Sequence, residues 1–76
     1  MNKIRRKALA DLSDRIEMLK AELELLRDEE QDYLDNIPEN LRGSERYERA
    51  EEAVSSLESA VDSLDEAISS IEEATE

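Results

Sequence analysis

From Tyr47 to the end of the chain, four heptads run without a slip. Tyr47, Ala50, Val54, Leu57, Val61, Leu64, Ile68 and Ile71 alternate spacings of three and four, the a/d rhythm of a helix that packs along another helix. Alanine recurs every seventh residue beside them, at Ala53, Ala60, Ala67 and Ala74. The first half carries a matching seam of Leu9, Leu12, Ile16, Leu19, Leu23, Leu26, Tyr33 and Ile37, interrupted by the ionised Glu30. A chain so patterned is expected to be all-α.

The two seams are separated by a hinge. Pro38 disfavours a helical conformation at Ile37 and removes a backbone donor, so the first helix should stop near Asn36. Gly43-Ser44 restarts a helix, with Ser44 as N-cap and Glu45 and Glu48 at its positive end. The expected layout is one domain, 1–76: helix 1 over about 3–36, a hinge over 37–43 and helix 2 over about 44–74. Helices of matched length joined by a short loop fold back as an antiparallel coiled-coil hairpin. With the hinge centred on Asn40, Leu12 should face Ile68, Leu19 Val61, Leu26 Val54, and Tyr33 Tyr47. Arg27–Glu51, Lys20–Glu58 and Arg6–Glu72 should pair along the edge.

Composition narrows the chemistry. No cysteine or histidine is present among the 76 residues, which removes thiol chemistry and the usual near-neutral base. Two packed helices also offer no pocket of ligand size. An enzyme is therefore not expected, nor is any cofactor. The carboxylates Asp28, Glu29, Glu30, Asp32 and Asp35 lack the spacing and glycine of a calcium loop, and Arg42, Arg46 and Arg49 are better placed to pair with them. No segment is apolar enough to span or enter a membrane. A cytoplasmic location is expected, in a host cell if the chain is phage-encoded.

Charge is the most suggestive feature. The formal net charge is −12; all ten Lys and Arg lie at or before Arg49, and nine acids but no base lie beyond it. Glu51, Glu52, Glu58, Asp62, Asp65, Glu66, Glu72 and Glu73 occupy one sector of helix 2, a ribbon about 35–40 Å long. Its density is roughly one charge per 4–5 Å, against about 3.4 Å for one nucleic-acid strand. The ribbon suits the basic surface of a nucleic-acid-binding protein, occupied as a decoy, and does not suit nucleic acid itself. The competing account is a solvated helix face that keeps a small bundle soluble. The basic start, Lys3, Arg5, Arg6 and Lys7, is expected to pair with Glu72, Glu73 and Glu76.

A second surface follows from the wheel. Ile4, Ala8, Met18 and Leu25 of helix 1 lie beside Ala53, Ala60, Ala67 and Ala74 of helix 2, and a lone hairpin cannot bury them. Self-association through this flank, as a homodimer forming a four-helix bundle, is the expectation; Arg15, Glu22 and Glu29 on the same flank count against it, and burial against a different protein is the alternative. A chain serving only as such a structural or assembly element is the alternative to the acidic decoy.

From Asp28 onward the text DEEQDYLDNIPENLRGSERYERAEEAVSSLESAVDSLDEAISSIEEA resembles small acidic helical proteins encoded by bacteriophages and mobile elements of Firmicutes-type bacteria. The hinge NIPENLRGSERYE is its more specific part. The resemblance implies a context and assigns no active residue. By class, phage-encoded inhibitors of CRISPR effectors and other defence proteins are often short, acidic and non-enzymatic.

Overall fold

Residues 1–76 of the computed structural model form two long helices, α1 (Lys3–Asp35) and α2 (Glu45–Thr75), joined through one 3-10 turn at Glu39–Leu41. The helices fold back on each other into a rod of 59 × 15 × 13 Å. The antiparallel hairpin expected from the matched seams is the architecture of the molecule. Neither helix is long and apolar enough to cross a membrane.

Each helix end is set by its own side chains. Asn2 caps α1, its Oδ1 accepting from the Arg5 amide at 2.7 Å. Asn36 closes the other end, donating from Nδ2 to the Asp32 carbonyl at 2.7 Å, one residue before the extended Ile37-Pro38 segment. Ser44 caps α2: its Oγ accepts from the Tyr47 amide at 3.3 Å and donates to the Leu41 carbonyl at 2.6 Å. Removing a cap hydroxyl typically costs about 1 kcal/mol, and one such unit shifts a domain this small by about 4–8 °C. Ser44→Ala should therefore lower the thermal midpoint by several degrees in a circular-dichroism melt; an unchanged midpoint would show that the cap does not hold the hinge.

α2 buries the face its heptads dictate, with Ala50, Val54, Val61 and Ile68 each 4–6% exposed. α1 does not. Its buried and half-buried positions are Leu9, Ser13, Ile16, Lys20, Leu23, Glu24, Arg27, Glu30, Gln31 and Leu34, continued by Ile37 beyond the helix. Leu12, Leu19, Leu26 and Tyr33, expected in the seam, are 43%, 58%, 54% and 39% exposed. Relative to that expectation α1 is turned by roughly 50° about its axis, half of the 100° between successive residues. The register differs too: Lys20 Nζ meets Asp65 at 2.6 Å, not Glu58.

The reason lies at the hinge. Leu34 and Ile37 are 9% and 8% exposed and pack with Ala50 and Val54 against Tyr47. Putting Leu34 inward swings Tyr33 outward, where its hydroxyl takes the Arg46 Nε–H and its ring lies 5.4 Å beneath the guanidinium. The hinge-closing group is thus Leu34, Ile37 and Tyr47, while Leu41 is 49% exposed. Further along, Lys20 and Arg27 lay their long stems in the seam and carry their charges to its edge.

Candidate interaction surfaces

All eight ribbon carboxylates, Glu51, Glu52, Glu58, Asp62, Asp65, Glu66, Glu72 and Glu73, are exposed. Asp65 alone is in an ion pair, with Lys20. The edge pairs expected across the hairpin do not form. Arg27 instead holds its neighbour Asp28 through Nε and Nη2, at 3.2 and 3.0 Å, because the rotation of α1 moves its head away from Glu51. Lys20, drawn to Asp65, lies 3.9 Å from Glu17 as well. Lys3, Arg5, Arg6 and Lys7 make no ion pair with Glu72, Glu73 or Glu76. The basic start of α1 and the acidic finish of α2, together at the open end of the hairpin, thus both stay open to solvent.

The Lys20 ammonium is held above its ordinary 10.5, first by its hydrogen bond to Asp65, against desolvation and with further support from the charges of Asp65, Glu17 and Glu24. A folded-state value above the unfolded one means this contact contributes fully below pH 10.5 and is lost as pH rises through the higher folded value. Alkaline titration of wild type should accordingly show a loss of helix stability above about pH 10.5 that Lys20→Met lacks. Parallel titration curves for the two proteins would exclude the pair as a contributor.

At the hinge the arginines serve structure. Arg42 Nε donates to the Ile37 carbonyl at 3.5 Å, Arg46 to Tyr33, and Arg49 Nη2 to Glu45 at 2.5 Å. None pairs with Asp28, Glu29, Asp32 or Asp35, correcting the pairing expected there. Glu30 stays half-buried beside the Arg46 and Arg49 side chains, which with Tyr33, Glu45 and Ala50 line an open depression of about 360 Å³. No three carboxylates converge closely enough to hold a metal ion.

The second surface is larger than its sequence signal. Ile4, Met18 and Leu25 are 84%, 70% and 61% exposed. Ala8 and Ala74 are open, and Ala53, Ala60 and Ala67 half-covered. The turned α1 adds Leu12, Leu19 and Leu26, a stripe at strict seven-residue intervals that the periodicity alone assigns to the core. The Tyr33–Arg46 contact places this stripe on the same side of the rod as the alanines, since Arg46 lies one heptad before Ala53. At the middle of α1, Arg15, Met18, Leu19, Ala21 and Glu22 line a shallow depression of about 510 Å³.

No family model, no curated protein and no solved structure matches the chain.

Proposed function

We propose that the hairpin is a non-enzymatic protein-binding module whose α2 ribbon occupies a basic surface of a nucleic-acid-binding protein, in the manner of a phage or mobile-element anti-defence inhibitor. The observation that carries this is the lack of internal neutralisation: every ribbon carboxylate except Asp65 is exposed and without an ion-pair partner. A ribbon serving mainly to hold the hairpin in register would meet Arg6 and Arg27 as well as Lys20. The helical backbone already presents these charges on one sector, so binding need not order that segment first. Opposite charge on the partner would steer encounter and make the complex salt-sensitive.

The test is capture from a bacterial lysate on the immobilised chain, eluted with salt. Glu58→Lys, Asp62→Lys, Glu66→Lys and Glu73→Lys together spare Asp65 and should leave the helical circular-dichroism signal intact while the salt-eluted partner disappears. Equal capture by the wild type and this variant would rule the ribbon out and favour the assembly role.

A further inference from the structure

We infer that a second copy of this chain covers the exposed leucine flank of α1, forming an antiparallel dimer whose two-fold axis passes near Met18 and Leu19. The narrow rod leaves enough open area for a partner. A folded monomer of 8.7 kDa exposes about 4,700 Å² by the usual mass scaling, whereas this chain exposes 5829 Å². The excess, about 1,100 Å² per chain, is comparable with the roughly 800 Å² that each partner buries in a stable interface. The flank that would meet a second copy is apolar: Leu12, Leu19 and Leu26 are 43%, 58% and 54% exposed and lie in line at about 10 Å intervals along the helix.

The charges on the flank choose the occupant. Arg15 and Glu22 border the central depression and stand at equal distances from the midpoint of Met18 and Leu19. A second α1 running the opposite way places each Arg15 against the other copy's Glu22, twice over. The same symmetry sets Leu12 against Leu25 and brings Arg5 toward Asp32. A parallel copy would stack Arg15 on Arg15 and Glu22 on Glu22. The adjoining Ala53, Ala60 and Ala67 carry no charge and little bulk, so a neighbouring helix can approach to the usual 8–10 Å. The acidic ribbon lies on the other side of α2 and stays outward; the dimer stands whether or not the ribbon binds anything.

Sedimentation equilibrium of the full chain tests this. Wild type should give twice the 8.7 kDa chain mass. Leu19→Glu should give the single-chain mass with its helical signal retained, since Leu19 contributes little inside the hairpin. Arg15→Glu should weaken the dimer about tenfold by turning two attractions into repulsions, and adding Glu22→Arg to it should restore the affinity. A wild type that is monomeric at every concentration overturns the proposal and leaves the flank to a different protein. A dimer indifferent to Leu19→Glu places the interface elsewhere. A double variant no tighter than Arg15→Glu alone excludes the antiparallel pairing.

Discussion

Val61→Asp is expected to unfold the chain. Val61 is 5% exposed near the middle of the α2 seam, with apolar neighbours one heptad away at Val54 and Ile68. An unpaired carboxylate placed there loses its hydration and finds no cation; burying such a charge costs several kcal/mol. A domain of this length has roughly 3–5 kcal/mol from its core to lose. Six residues make up the buried set of this one. Most of the helical signal should vanish at room temperature in dilute solution. Ser63→Asp, two residues on and exposed, should change stability by less than about 0.5 kcal/mol. If Val61→Asp melts like wild type, the α2 seam does not hold the hairpin together.

The hairpin itself was legible from the chain. Pro38, Ser44 and two matched apolar periods dictate two helices, a reversal and a cap, and the structure has α1 ending at Asp35 and Ser44 capping α2. The face of α2 was equally legible, because its acids, serines and alanines leave one apolar stripe and no choice. α1 offers two. Leu9, Ile16 and Leu23 can join either Leu12, Leu19 and Leu26 or Ser13, Lys20, Arg27 and Leu34, and counting apolar residues favours the first. The second prevails because Leu34 and Ile37 close the hinge, and because lysine and arginine stems behave as apolar surface up to their charged ends. Binary periodicity does not register either effect. The pairing of charges was illegible for the same reason: once α1 turns, Lys20 finds Asp65 and Arg27 finds Asp28.

The turn of α1 connects the fold to its surfaces. It removes three leucines from the intramolecular seam and sets them beside the alanines of α2, and it leaves Lys20 as the one basic residue paired with the ribbon. One local preference at the hinge thereby yields two unsatisfied faces, one apolar and one acidic, on opposite sides of a narrow rod. Between those faces the core is thin, with six buried residues.

Replacing Lys20, Arg27 and Glu30 together by Leu should make the hairpin much more stable, and the outcome distinguishes the two phases of α1. All three are half-buried, the Lys20 and Arg27 side chains 19% and 26% exposed. Fully burying a leucine contributes about 1.5–3 kcal/mol; roughly half of that remains where an aliphatic stem was already packed. The three positions together should add about 2–4.5 kcal/mol, raising the thermal midpoint by roughly 10–35 °C at about 4–8 °C per kcal/mol. The loss of the solvent-edge contacts to Asp65 and Asp28 offsets little of this. With Leu12, Leu19 and Leu26 in the seam instead, the same changes would add exposed leucines on the edge, promoting aggregation with no comparable gain. Leu26→Gln supplies the converse, measured below the concentration at which copies associate. At 54% exposure it should move the midpoint by only a few degrees, whereas a leucine in the core would cost about 2–5 kcal/mol on truncation. A large fall for Leu26→Gln and no rise for the triple variant would return α1 to its unturned phase and take the leucine flank with it.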